Sequence, residues 1–208
     1  FLATRRSVRN FKDKPVPKEV IQQIIHSIAF APYGSSPNTV NITVVDNRKT
    51  IESALPLMSE FYDNLVKWID NPLIRYIFKK KKDPETFNTV KNHVYPIAKS
   101  GNYKLENGDR ITRNAPAIFI FHANKGAEAH THNAIIYATY AMLAAQSHGL
   151  GTTMISLVPA ALNKVNALKN MFEIPEENEV VISLILGYPK IKYKRAIKRD
   201  MKNISWVA

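Results

Sequence analysis

A basic motif near the start of the chain contains residue types that bind anions. Residues 5–9 read Arg-Arg-Ser-Val-Arg, which is three arginines and one hydroxyl residue in five positions. A guanidinium presents forked donors to an oxyanion and stays charged at physiological pH. In an extended segment, Arg5, Ser7 and Arg9 would alternate onto one side of the backbone. The motif predicts contact with a phosphate or a polarised carbonyl, with a basic terminal tail as the alternative.

Two further segments could present backbone N–H groups to a ligand. Residues 31–38 read Ala-Pro-Tyr-Gly-Ser-Ser-Pro-Asn and lie between a predicted helix and a predicted strand. Residues 149–156 read Gly-Leu-Gly-Thr-Thr-Met-Ile-Ser and match neither a dinucleotide-binding fingerprint nor a P-loop. Short turns rich in exposed N–H groups can bind anions. The alternatives are a plain loop for the first segment and a helix C-cap for the second.

The charge of the chain predicts an anionic ligand or partner. Lys and Arg number 29 against 17 Asp and Glu, a net charge of +12. Residues 190–202 are especially basic, but Tyr193 is the one aromatic among them, so a base-stacking platform for nucleic acid is not indicated. The lysine run at residues 79–82 is interpreted as a solvated helix end, or alternatively as a docking patch for an acidic partner.

Several classes of site are excluded by composition. The chain has no cysteine, so it holds no disulfide, thiolate zinc site, cysteine nucleophile or iron–sulfur cluster of its own. His130 and His132 are two residues apart and would point away from each other on a helix, so no metal site is predicted. The nearly apolar run at residues 134–145 is shorter than the roughly 20 residues that span a bilayer.

The elements that must position these segments follow from apolar periodicity. A helix is predicted after Pro17 and before Pro32, and a strand at residues 41–46. Residues 117–121 and 180–186 are apolar on both faces, as in central strands covered by helices on two sides.

Two helical segments complete the predicted architecture. Residues 134–145 predict a helix without a solvent face, which is either the axis of the core or half of a subunit interface. Residues 51–82 look helical with breaks at Pro56 and Pro72, and the wider segment 50–100 could form a variable lid lined by aromatic residues. The lid aromatics would be Phe61, Tyr62, Trp68, Tyr76 and Phe78. The order of elements predicts one α/β layered domain over residues 1–208.

In this order, the motifs resemble those of the FMN-dependent nitroreductase family. The matching elements are the Arg-Arg-Ser-Val-Arg-Asn-Phe start, Pro-Val-Pro before the first helix, the segment at 31–38, Gly-Leu-Gly-Thr after the apolar helix, and Leu-Gly-Tyr-Pro at 186–189. The resemblance covers roughly residues 3–200 and is weakest over 50–100. It implies an α+β fold with a central mixed sheet flanked by helices. It also implies an interlocked homodimer with two FMN sites at the subunit interface.

The resemblance also implies which residues bind FMN. They are Arg5, Arg6, Ser7, Arg9, Pro32, Tyr33, Gly34, Ser36, Met154, Ile155, Ser156, Lys194 and Arg195. Arg9 would stabilise the ring edge, residues 32–36 would come from the other subunit, and residues 154–156 would line the ring. Lys194 and Arg195 would meet the phosphate, with Lys192 and Arg199 as alternatives for that role.

The activity implied by the resemblance is that of a flavin oxidoreductase. It would take hydride or electrons from NAD(P)H, or from a reduced carrier such as ferredoxin, and pass them to a nitroaromatic, a quinone or a similar electrophile in ping-pong order. No acid–base residue of the protein is expected. A flavin-binding carrier or sensor without turnover is the main alternative, and a basic nucleic-acid-binding module is the less favoured one.

The C-terminal residues resemble a narrower subgroup of that family. Residues 187–195 and the Ile-Ser-Trp at 204–206 are similar to proteins in which a two-cluster ferredoxin-like domain precedes the nitroreductase domain. The chain is therefore expected to be a stand-alone relative or the nitroreductase part of such a fusion. A cytoplasmic location without membrane contact is expected, because the absence of cysteine is compatible with a reducing compartment.

Overall fold

The chain forms a four-stranded sheet with helices on both of its faces. The computed structural model describes residues 1–81, 88–196 and 200–207. The helices are α1 (Lys18–Ile28), α2 (Arg48–Asp70), α3 (Pro72–Lys81), α4 (Tyr95–Lys99), α5 (His130–Ser147), α6 (Leu157–Leu162) and α7 (Asn166–Met171). The strands are β1 (Asn41–Val45), β2 (Ala117–Asn124), β3 (Gly151–Ile155) and β4 (Asn178–Gly187).

The sheet has the strand order β1-β2-β4-β3, and each of its three strand pairs is antiparallel. The two strands that the sequence predicts to be central, β2 and β4, are the middle pair. A mixed sheet was expected, but the four strands are antiparallel throughout. At the outer edge of β3, Ser7 forms an isolated parallel bridge with Thr152. This bridge brings the N-terminal motif to the sheet.

The core lies in two layers because side chains alternate along β2. Ile118 and Ile120 face the layer under α2, α6 and α7, while Phe119 and Phe121 face the layer under α1 and α5. All four are at most 2% exposed. Both sheet faces are therefore covered, which explains why β2 lacks the alternation of polar and apolar residues found in a half-exposed strand.

The break predicted at Pro56 does not occur. Helix α2 runs without interruption from Arg48 to Asp70. A proline in a helix interior costs about 3 kcal/mol through a lost hydrogen bond and a ring clash. The buried face of α2, which includes Ile51, Leu55 and Met58, supplies apolar burial that offsets this cost. The second break occurs as predicted, between α2 and α3.

The aromatic residues proposed for a lid divide into two groups. Phe61 and Tyr62 belong to the core, where the Tyr62 hydroxyl donates to the Leu157 carbonyl at 2.8 Å. Trp68 and Tyr76 are exposed. The Phe78 side chain lies outside the described part of the structure. The inner half of this region is thus core, and exposed aromatics begin near the end of α2.

Helix α5 packs one face into the core and leaves an apolar face accessible. Ala134, Ala138 and Ala141 are fully buried against the sheet and α1. Ile135 remains 42% exposed, and Tyr140 is only partly buried. A single chain therefore leaves part of the apolar surface of this helix uncovered.

Candidate functional site

The N-terminal basic motif is held against β3 and against the segment that follows β4. The Val8 N–H donates to the Thr152 carbonyl at 2.8 Å, and the Thr153 hydroxyl donates to the Val8 carbonyl at 2.6 Å. Further along, the Lys12 N–H donates to the Tyr188 carbonyl at 2.8 Å. These contacts place the motif as an extended segment between two distant parts of the chain.

The two glycines after α5 have different roles. Gly149 has a φ of 72° and follows His148, the C-cap of α5, so it is the left-handed glycine that ends the helix, as the alternative for this segment predicts. At Gly151, an added Cβ would lie 2.6 Å from the Val8 Cβ. A side chain at Gly151 would therefore push the N-terminal motif away from β3.

A basic cavity of about 500 Å³ lies where these segments meet. Its lining residues include residues 149–152, Tyr188 and Tyr193. The cations that line it are Arg5, Arg6, Lys12 and Lys192, and no carboxylate is among its lining residues in the described chain. We call it the Arg5–Arg6 cavity. Its uncompensated charge suits a phosphate or another multiply charged anion.

Arg6 is positioned by two contacts and retains an unused donor. Its Nη2 donates to the Arg195 carbonyl at 2.8 Å, and its guanidinium lies 4.7 Å from the centre of the Tyr193 ring. Its Nε is buried and has no hydrogen-bond partner among the described residues. A buried donor without an acceptor costs about 1–3 kcal/mol, so a bound oxyanion would remove an existing penalty.

The C-terminal cations proposed for the phosphate are separated by the fold. Lys192 lines the Arg5–Arg6 cavity. Arg195 contributes its carbonyl to Arg6, while the side chains of Lys194 and Arg195 are exposed and do not line the cavity. Arg199 lies outside the described residues. The basic C-terminal segment therefore belongs partly to this cavity, which weakens its interpretation as a nucleic-acid surface.

Arg9 lies apart from the other two arginines of the motif. It lines a second cavity of about 260 Å³ together with Arg110, Arg113 and Lys190. Arg5 and Arg9, which the sequence predicts on one side of an extended segment, therefore line different cavities. The hydrogen bond from the Lys190 N–H to the Asn10 carbonyl at 2.9 Å holds residues next to Arg9 at the second cavity.

Asn133 organises the loop at residues 34–39, and sequence reasoning missed it. Its side chain is fully buried, and its Oδ1 accepts from the Gly34 N–H at 2.8 Å. Its Nδ2 donates to the Gly34 carbonyl at 3.0 Å, to the Thr39 hydroxyl at 2.9 Å and to the Ser36 carbonyl at 3.4 Å. The signal was present in the sequence as an asparagine on the buried face of α5, four residues before Tyr137.

The remaining predicted site residues are not brought into either cavity by one chain. Pro32 and Tyr33 are exposed in the loop before β1, and Gly34 and Ser36 are held there by Asn133. Met154 and Ile155 are partly buried at the end of β3, and Ser156 precedes α6. Met154 and Ile155 lie on β3, whose first residues, Gly151 and Thr152, line the Arg5–Arg6 cavity.

The fold and the cavity define an α+β protein with a basic cavity at the edge of its sheet. The model of the nitroreductase family matches residues 2–188. The chain belongs to the nitroreductase family, as its motifs predicted. No helix in the described part of the chain is long and apolar enough to cross a membrane.

Solved structures share the fold at low sequence identity. A nitroreductase with bound FMN from Bacteroides fragilis is 19% identical, with 97% of this chain and 95% of that chain covered and a TM-score of 0.66. A nitroreductase with bound FMN from Desulfitobacterium hafniense is 19% identical, with coverages of 100% and 96% and a TM-score of 0.69. An NADPH:FMN oxidoreductase from Vibrio harveyi complexed with NAD⁺ is 16% identical, with coverages of 97% and 72% and a TM-score of 0.57. No curated protein matches the chain.

Proposed function

We propose that this chain is an FMN-dependent oxidoreductase that passes electrons from NAD(P)H or a reduced electron carrier to a nitroaromatic, a quinone or a similar small electrophile. The observation that carries the proposal is the Arg5–Arg6 cavity, which is basic and lined by no carboxylate in the described chain. Family membership supports the class of reaction. The FMN bound in two proteins of the same fold supports the choice of cofactor.

The residues of the cavity fit the phosphate of FMN. A phosphate oxygen is the acceptor that Arg6 Nε lacks, and Arg5 and Lys192 add positive charge around it. Lys194 and Arg195 lie next to this group in sequence and could approach the phosphate from its exposed side. Tyr193 keeps the Arg6 guanidinium in place, which lowers the entropy cost of binding.

When bound, FMN supplies the redox chemistry by accepting two electrons from the donor and passing them to the acceptor in turn. The chain's own residues bind and orient. Residues 154–156 follow the residues of β3 that line the Arg5–Arg6 cavity, and they would offer backbone groups to the flavin ring. Arg9 would supply a permanent positive charge at the ring edge. Ser7, which forms a bridge with Thr152 of β3, would contact the part of the cofactor that joins phosphate and ring.

A homodimer would complete the site. Tyr33, Gly34 and Ser36 lie outside both cavities of their own chain, which supports their contribution to the site of a second copy. The Gly34 N–H is already donated to Asn133, so this loop would contact the flavin through other groups. The accessible apolar face of α5 is surface that a second copy could cover. The exposed end of α2 and helix α3 are proposed as the variable lid region.

Flavin binding tests the proposal directly. The purified protein, supplied with FMN and desalted, should retain about one FMN per chain and show flavin absorption. Arg6→Gln should weaken the affinity for FMN about tenfold or more, because a charge-assisted hydrogen bond contributes about 1.5–3 kcal/mol. Lys164→Gln, which removes an exposed charge outside both cavities, is the matched control. Fluorescence quenching of FMN measures both affinities.

The outcomes separate the competing functions. A protein that binds no FMN contradicts the proposal. A protein that binds FMN and is bleached under anaerobic conditions by NADH, NADPH or reduced ferredoxin supports it and identifies the donor. A flavin-containing protein that none of these reduces supports a carrier or sensor without turnover.

A further inference from the structure

The second cavity is a concentration of positive charge that the fold does not neutralise. It is lined by Arg9, Arg110, Arg113 and Lys190, and has a volume of about 260 Å³. Asp109 is the one carboxylate among its lining residues in the described chain. We call it the Arg110–Arg113 cavity. Arg110 and Arg113 belong to the loop before β2, so residues far apart in sequence converge here.

Asp109 is committed to holding this loop and to Arg48. Its Oδ1 accepts from the N–H groups of Ile111 and Thr112 at 3.0 and 2.7 Å, and its Oδ2 accepts from the Asn114 N–H at 2.9 Å. The Thr112 hydroxyl also donates to Oδ2, and the Arg48 guanidinium lies 3.4 Å from it. The carboxylate is almost fully buried by these contacts. It therefore shapes the cavity and forms no salt bridge with the arginines that line it, although its charge partly opposes the lowering of the Arg113 pKa.

The three arginines have no side-chain hydrogen bond or salt bridge within the described residues. Arg113 is partly buried and lies in a left-handed backbone conformation with a φ of 59°. Burial, followed by the charges of Arg110 and Arg9, lowers the pKa of Arg113. The guanidiniums are thus close enough to repel one another. An oxyanion would relieve this repulsion and satisfy donors that the protein leaves unpaired.

The size and position of the cavity restrict the ligand. Its volume is below the roughly 300–1,000 Å³ of pockets that enclose whole drug-sized ligands, so it suits one charged group of a molecule. Arg9, the residue expected at the flavin ring edge, is part of its wall. A group bound here would therefore lie beside the reactive part of the cofactor, apart from the phosphate site.

We propose that the Arg110–Arg113 cavity binds the carboxylate or phosphate group of the electron-accepting substrate, so that the enzyme prefers anionic acceptors to neutral ones of the same shape. The identification of the bound anion as part of a substrate rests on the proposed function. The existence of an anion site is independent of that function and can be measured without turnover.

A matched pair of acceptors tests the preference. The cofactor-loaded protein should have a higher kcat/KM for 4-nitrobenzoate than for the neutral 4-nitrobenzamide. Arg110→Gln should lower the ratio of the two kcat/KM values about tenfold, mainly through the KM for the benzoate, because one charge-assisted contact is lost. Arg113→Lys, which keeps the positive charge but loses the paired N–H donors of the guanidinium, should lower the ratio by a smaller factor. Lys164→Gln should leave the ratio unchanged.

A binding measurement provides the readout that does not depend on activity. Calorimetry should detect 4-nitrobenzoate binding to the FMN-loaded protein, and Arg110→Gln should weaken it. Equal affinity for the benzoate and the benzamide would overturn the proposal. If Arg110→Gln weakens FMN binding as strongly as Arg6→Gln, the cavity holds the phosphate of the cofactor, which also overturns it. If neither nitro compound is reduced, the proposed function fails, while selective benzoate binding would still establish the anion site.

Discussion

Replacing Asn133 with alanine should destabilise the protein by loosening the loop at residues 34–39. The amide of Asn133 makes four hydrogen bonds to this loop, through one acceptor and two donors. The side chain is fully buried in the core-facing side of α5, so water cannot replace it without rearrangement. One substitution therefore removes every contact from this amide to the loop.

The magnitude follows from the contacts. Three of the four hydrogen bonds are between 2.8 and 3.0 Å, and the fourth, at 3.4 Å, is weak. A net contribution of about 1 kcal/mol for each good bond gives about 3 kcal/mol for Asn133→Ala. Asn133→Asp keeps the acceptor for the Gly34 N–H but sets a carboxylate against the Gly34 carbonyl, so at neutral pH it should destabilise the protein at least as much.

Urea denaturation with linear extrapolation measures both changes. Asn170→Ala is the matched control, because Asn170 is exposed on α7, and its free energy of unfolding should change by less than about 0.5 kcal/mol. Amide hydrogen exchange at residues 34–39 should accelerate in the Asn133 variants. A loss below about 1 kcal/mol for Asn133→Ala, or an Asn133→Asp variant as stable as the parent, would refute this reasoning.

Two further predictions concern stability. Burial, with the charge of Lys169, lowers the pKa of His122 below its ordinary value, so the free energy of unfolding should decrease as the pH falls below about 6.5, where only the unfolded chain gains the proton. Denaturation at several pH values should show a smaller decrease in the free energy of unfolding for His122→Gln than for the parent protein. The same dependence on pH in both proteins would contradict the assignment of this decrease to His122. Gly151→Ala should cost about 1–3 kcal/mol through its clash with Val8, and Val8→Gly in the same chain, which removes the Val8 Cβ as well as its methyl groups, should restore part of the Tm. Additive losses would contradict this contact.

The fold was largely predictable because its signals are local. Residues 117–121 and 180–186 are apolar on both faces, and they form the two central strands. Helix α1 begins after Pro17, as predicted from the proline and the apolar spacing. The break expected at Pro56 does not occur, because burial of apolar side chains along α2 offsets the cost of a proline inside a helix. Only that local cost can be read from the sequence.

The candidate site was predictable only in part. The residue types at positions 5–9 predict an anion site, and the structure places Arg5 and Arg6 in the lining of a basic cavity. Arg110 and Arg113 carried no signal of their own, because two arginines in a polar loop look like solvated charges. Asn133 likewise follows three polar residues at the start of α5, and the sequence does not distinguish it from them until its loop partners are known.

The amino-acid sequence by itself determined the charge of the chain, the periodicity of its elements and its family, because each depends on residue identities and short spacings. Only the tertiary structure decided which charges meet. Arg6 contacts Tyr193 and the Arg195 carbonyl, which are almost the whole chain away in sequence. Arg9 lines the same cavity as Arg113, where the N-terminal segment pairs with the residues that follow β4. These contacts depend on which segments pair along the edge of the sheet, since backbone pairing can bring together side chains that no local pattern relates.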